Sequence, residues 1–188
     1  MSKSVLISVN PEWCELIASG EKTVEVRKTK PKLETPFKVY IYCTSPRKSG
    51  DIFLVAGKTI QGNGKVIGEF VCDKAERIMA DGTCHPQYGY GGTRYNFGHL
   101  EDAQLSEQEL YDYLGEPVVL IDSPCYTKTE FNGYAWHISD LKIYDKPREL
   151  SEFKSYDCST YIENGYPMPT HEITRPFQSW GYIYETDT

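Results

Sequence analysis

Apolar and polar positions alternate over Lys22–Lys28, with Val24 and Val26 on one side and Thr23, Glu25 and Arg27 on the other. That period of two predicts a half-buried strand. Val24 and Val26 should face the interior, and Glu25 and Arg27 a cleft or solvent. Val5–Val9, Phe37–Cys43 and Lys65–Cys72 read as further strands. Tyr134–Ile138 and Leu141–Tyr144 read as two strands or one bent strand, and Ser179–Tyr184 as a last one.

Helical spacing occurs in two places. Trp13, Leu16 and Ile17 fall at i, i+3 and i+4. Asn10-Pro11 supplies a start and Gly20 a stop. The segment Leu105-Ser-Glu-Gln-Glu-Leu110 predicts a second helix. There Ser106 caps, Glu109 completes a capping box, Leu105 and Leu110 form a hydrophobic staple, and Gly115 ends the helix.

Between these elements the pattern loosens. Ser45–Gly64 is polar and glycine-rich, broken by Ile52–Val55, and reads as a hairpin or long loop. Met79–His99 carries five glycines among Tyr88, Tyr90, Tyr95 and Phe97, and reads as an inserted loop. After about Phe153 the chain turns polar, with Pro167, Pro169 and Pro176. Many short strands and two short helices predict an α+β, mostly β protein: a small barrel or partly open sheet. No GxGxxG, P-loop, HExxH or GxSxG is present.

Composition narrows the class. The 188 residues suffice for a core without staples. No stretch approaches the roughly 18 apolar residues of a membrane span. Met1–Val9 lacks the apolar run of a signal peptide, so a cytoplasmic location without membrane partners is expected. The six cysteines, at 14, 43, 72, 84, 125 and 158, show no CxxC spacing, and Cys84–His85 is the only adjacent Cys/His pair. Reduced, partly buried thiols are expected, with no metal and no cofactor.

Net charge is −7, against nonspecific coating of nucleic acid. Yet residues 1–65 hold 11 Lys+Arg and 6 Asp+Glu, net +5, and residues 66–188 hold 9 and 21, net −12. A basic first third, including Lys28, Lys30 and Lys32, can present one basic face on an acidic body.

The segment that carries chemistry is Gly20-Glu-Lys-Thr-Val-Glu-Val-Arg27. Glu25 and Arg27, two apart on a strand, share a face about 7 Å apart. With Lys22 they can form a structural ion pair, bind phosphate through a bidentate arginine, or run acid–base chemistry.

Gly20, Lys22, Glu25 and Arg27 resemble the glycine–x–lysine–x–x–glutamate–x–arginine pattern of the ASCH domain. The flanking segments VLISVNPEWCELIASG, KVYIYCTSP, GKVIGEFVCDK, LSEQELYDYLG and GYAWHISDLKIYDKPREL follow in the order of a bacterial or phage ASCH protein, over roughly residues 3–150. The resemblance implies a PUA-like small β-barrel with short flanking helices. It implies a domain over 1–153 with an inserted loop at about 79–99, and an extension, 154–188, packing on the barrel. It also implies that RNA or a nucleotide-like ligand lies beside Lys22, Glu25 and Arg27, with Thr44 and Ser45 near the cleft.

Some ASCH relatives are enzymes. One bacterial group cleaves the amide of N4-acetylcytidine with a lysine, a threonine and a glutamate; others have been proposed as ribonucleases. Lys22 matches the lysine, but Glu25 stands where the threonine would be. Glu101 and Glu107 lie in the neighbourhood of the distant glutamate. In an enzymatic reading, Lys22 and Glu25 are the catalytic candidates. The alternatives to an RNA-binding module are therefore a hydrolase acting on RNA or a modified nucleoside, and a protein-interaction domain. Stacking surfaces would come from Tyr134, Trp136 or the insertion tyrosines; alternation with Tyr134 and Ile138 gives Trp136 a core role instead.

Overall fold

The computed structural model describes residues 3–45, 53–55, 58–60, 63–84, 93–97, 99–123, 126–156 and 170–184. In chain order its strands are β1 (Lys3–Val9), β2 (Val24–Arg27), β3 (Phe37–Cys43), β4 (Phe53–Val55), β5 (Lys58–Ile60) and β6 (Lys65–Cys84). There follow β7 (Thr93–Phe97), β8 (Val118–Ser123), β9 (Tyr126–Arg148), β10 (Lys154–Tyr156), β11 (Thr170–Glu172) and β12 (Trp180–Tyr184). The helices are α1 (Pro11–Ser19), α2 (Leu100–Ala103) and α3 (Glu107–Leu114). The chain divides into two compact units. One comprises Met1–Gly20, Pro36–Cys72 and Ile138–Thr188; the other comprises Glu21–Thr35 and Asp73–His137.

In the first unit β1 lies between β3, parallel to it, and β12, antiparallel. The strand order there is β11-β10-β12-β1-β3-β6-β9. Residues 4–9 of β1 are buried, as a strand flanked on both sides requires. Leu6, Tyr40, Tyr42, Val66, Leu150, Phe153, Ile173 and Ile183 form its core. α1 begins and ends as its sequence predicts: Asn10 is extended at the N-cap, Pro11 opens the helix, and Gly20 closes it at φ 80°. Glycine fits that left-handed turn without a Cβ penalty. The Asn10 side chain does not cap, however. It accepts a hydrogen bond from the Thr44 hydroxyl at 3.3 Å. In β6, a Cβ on Gly68 would come within 2.5 Å of the Lys142 carbonyl oxygen. Glycine lets the two backbones approach.

In the second unit β2 pairs antiparallel with β9, and β6 with β7. β8 also pairs with β9. The capping box at Ser106 and Glu109 forms as its spacing predicts, and Gly115 ends α3. Leu110 and Leu105 both join the core cluster of Val24, Val26, Ile78, Ala80, Ala103, Phe131 and Ala135.

Two expectations change. A closed barrel is not what the strand order shows: among the described residues it runs from β11 to β2 without returning on itself. Of the two readings of Tyr134–Ile138 and Leu141–Tyr144, the single strand holds: both lie in β9, where Asp140 takes φ 48°. In the stretch read as an inserted loop, the backbone is strand at both ends, with Ala80 opposite Phe97 and Cys84 opposite Thr93. Thr, Tyr and Phe favour the extended backbone at these ends. Tyr88, Tyr90 and His85 lie outside the described residues, as does Pro46. No helix among the described residues is long and apolar enough to cross a membrane.

Candidate functional site

β2 is four residues long, and both of its faces are buried. Val24 and Val26 face the apolar cluster under α2 and α3, as alternation requires. Glu25 and Arg27 occupy the opposite face but do not open to solvent as expected. Their exposures are 6% and 7%, and Lys22 is at 3%. What makes that burial tolerable is mutual neutralisation. Arg27 Nη2 lies 2.9 Å from Glu25 Oε1, and Lys22 Nζ lies 3.5 Å from Glu25 Oε2. Each carboxylate oxygen thus takes one cation. Such a triad is costly to desolvate and is held only by good geometry and further hydrogen bonds.

Those further bonds come from the end of α2. Lys22 Nζ donates to the Ala103 carbonyl at 2.5 Å, and Thr23 N–H to that of Asp102 at 2.8 Å. Gln104, at φ 54°, donates its side-chain amide to the carbonyls of Glu101 and Glu21. A helix of one turn leaves its last carbonyls unsatisfied, and the 21–23 segment supplies their donors. Burial holds the Lys22 ammonium below the usual lysine value, and the attraction of Glu25 opposes the shift. A desolvated amine of this kind is more easily neutralised than one in water, which nucleophilic or basic lysines require.

Across the ladder, Glu25 stands opposite Trp136 and Arg27 opposite Tyr134. Trp136 is fully buried, the core role that alternation offered it. Tyr134 is half-buried, and two cations approach its ring: the Arg77 guanidinium at 4.6 Å and the Lys30 ammonium at 5.5 Å. Arg77 also lies 3.6 Å from Glu130 and donates to Asn132 Oδ1 at 3.3 Å. Lys28 approaches the Tyr113 ring at 5.2 Å. Lys28, Lys30 and Arg77 are exposed. Sequence reading noted the lysines and Tyr134 but missed Arg77, which stands 50 residues from Arg27 and in no local motif.

A second polar group lies at the rim of the same unit's core face. Glu76 from β6, His137 from β9 and His99, just before α2, come together there. Although burial alone would raise it, hydrogen bonds from Lys74 and His137 hold the Glu76 carboxyl below the usual carboxylate range. These residues lie far apart in sequence and form no spaced motif, so pattern reading did not find them.

The remaining candidates lie outside β2. Thr44 and Ser45 belong to the first unit, while Lys22, Glu25 and Arg27 belong to the second. The Thr44 N–H donates to the Val9 carbonyl at 2.9 Å. Glu101 and Glu107 are exposed on α2 and α3. The glutamate on these helices whose field reaches Lys22 is Glu109.

Comparison with solved structures decides the fold. A crystal structure of ASCH from Zymomonas mobilis aligns over 97% of this chain and 88% of its own, with TM-score 0.50 and 20% identity. The chain has the ASCH fold. A tyrosine-to-phenylalanine variant of the same ASCH protein aligns over 98% of this chain and 92% of its own, with TM-score 0.50 and 21% identity. A curated relative, an ASCH domain-containing ribonuclease from Zymomonas mobilis subsp. mobilis, is 38% identical over 61 residues. That match spans 32% of this ASCH-fold chain and 41% of the relative, so the chain matches about two fifths of the relative's length. No family model matches the chain.

Proposed function

We propose that this ASCH-fold chain binds single-stranded RNA or a nucleotide-like ligand, with the Gly20–Arg27 segment organising the site. The observation that carries the reading is the register of Arg27 opposite Tyr134, whose ring has Arg77 and Lys30 beside it. An aromatic face with two adjacent cations suits a stacked base and its phosphate, and the contact is tolerant of sequence. The buried Lys22–Glu25–Arg27 triad holds β2 against β9 and so supports that surface. The resemblance to ASCH and PUA-like domains, and the ribonuclease name of the relative, both favour RNA over other polyanions. In this reading Lys22, Glu25 and Arg27 act from beneath the ligand surface rather than on it.

Binding of fluorescent single-stranded RNA, followed by anisotropy at several salt concentrations, tests this. Tyr134→Ala should weaken binding by about 1–3 kcal/mol, and Tyr134→Phe should retain most of it. Arg77→Ala should lower both affinity and the salt slope. RNA affinity that is unchanged by Tyr134→Ala and Arg77→Ala together would remove the surface from consideration.

A second reading is an RNA- or nucleoside-directed hydrolase, and the desolvated Lys22 amine beside Glu25 favours it. Incubation with single-stranded RNA and with N4-acylated cytidine separates the two. An enzyme should lose turnover with Lys22→Ala while keeping substrate affinity, because a base or nucleophile acts in the transition state. A pure binder should turn over neither substrate.

A further inference from the structure

Three nitrogen atoms converge on one oxygen of Glu76. Lys74 Nζ is 2.7 Å from Oε1, His137 Nε2 is 3.0 Å and His99 Nε2 is 3.3 Å. A single carboxylate oxygen has only two lone pairs, so three donors exceed what hydrogen bonding can serve well. The arrangement brings a carboxylate oxygen and two imidazole nitrogens to one point.

We propose that Glu76, His99 and His137 form a binding site for one divalent transition-metal ion of the zinc class, ligated by Glu76 Oε1 and the two imidazole Nε2 atoms. Ligands about 2.0–2.1 Å from such an ion, at angles between square and tetrahedral, lie about 2.8–3.4 Å from one another. The two oxygen–nitrogen separations, 3.0 and 3.3 Å, fall in that interval. All three ligand atoms lie within 4.8 Å of one another. The imidazole planes stand at 89° with centroids 5.2 Å apart, so both rings can aim at a common point without stacking.

The supporting elements are independent. Glu76 is on β6 and His137 on β9, while His99 sits at the N-cap of α2. Side-chain exposures of 22–32% leave the cluster partly open, so an ion can enter and retain water. Two imidazoles and one carboxylate, with coordination positions left over, match sites that keep an open position rather than closed structural ones. The donor set also sets selectivity. Imidazole suits zinc, cobalt and nickel, whereas magnesium prefers oxygen ligands and its own water. Neutral imidazoles would ligate through Nε2 and carry their proton on Nδ1. The Lys74 side chain, 59% exposed, can swing off Oε1 to make room for the ion.

The experiment uses the full chain, stripped with a chelator and titrated with CoCl2 and then ZnCl2. Calorimetry and visible absorption are the readouts. One equivalent of Co2+ should bind and give weak visible bands, without the intense near-ultraviolet charge transfer of cobalt–thiolate. Zn2+ should displace it, and Mg2+ should not. His99→Gln and His137→Gln should each weaken Co2+ binding roughly 10–100-fold or more, with far-ultraviolet circular dichroism confirming the fold. Should either variant fail to fold, proton NMR of the Co2+-loaded wild type supplies the same information, since two histidine ring N–H signals should be paramagnetically shifted. The proposal is overturned by the absence of Co2+ binding, by a thiolate spectrum, by folded histidine variants that bind like wild type, or by unshifted histidine signals.

Discussion

Glu25 accepts a hydrogen-bonded ion pair from Arg27 at 2.9 Å within a strand that is buried on both faces. Breaking a buried pair from one side leaves an uncompensated charge, which costs about 3–5 kcal/mol. Arg27→Ala should therefore lower stability by that amount in urea denaturation, far beyond the roughly 0–1 kcal/mol of an exposed pair. A loss under about 1 kcal/mol would mean that the pair is solvated in solution.

Lys22 should give the protein a pH dependence in the alkaline range. Burial holds its folded-state pKa below the usual lysine value, so between the two values the unfolded chain binds more protons. Stability then rises with pH across that window. Relative to Lys22→Met, the wild type should gain stability as the pH rises toward ~10. Thermal melts of both proteins across that range provide the check; parallel curves would show that the ammonium is not desolvated.

Ser106 accepts from the Glu109 N–H at 3.2 Å, and Glu109 Oε2 accepts from the Ser106 N–H at 2.8 Å. Ser106→Ala should cost about 1 kcal/mol, as loss of an N-cap does. Ser106→Asp should recover most of it, since Asp also accepts from the N3 amide. Equal melting temperatures for wild type and Ser106→Ala would contradict the cap.

Gly68→Ala should destabilise by about 1–3 kcal/mol, because a Cβ there meets the Lys142 carbonyl oxygen at 2.5 Å and backbone cannot swing aside. Chemical denaturation measures it. An unchanged midpoint would show that β6 and β9 are further apart than described.

Much of the local structure was legible in the sequence. β3 spans the predicted residues 37–43, α1 begins at Pro11 and ends before Gly20, and α3 carries the expected capping box. Caps, proline at the first turn and period-two alternation act within a few residues, so the chain states them directly. The face assignment of Val24 and Val26 is legible for the same reason.

Burial and convergence were not. Val118–Ile121, the chain's clearest aliphatic run, is 46–64% exposed on β8, while charged Lys22, Glu25 and Arg27 are buried. Residue type sets what burial would cost; only the neighbours that tertiary folding brings decide whether that cost is met. Lys22 is buried because Ala103, 81 residues away, offers a carbonyl and Glu25 a charge. His99 and His137 reach Glu76 only once β6, β9 and the start of α2 are in place. Pattern along a chain encodes interactions of short range. Sites assembled from distant segments depend on strand pairing and helix packing, which no local spacing records.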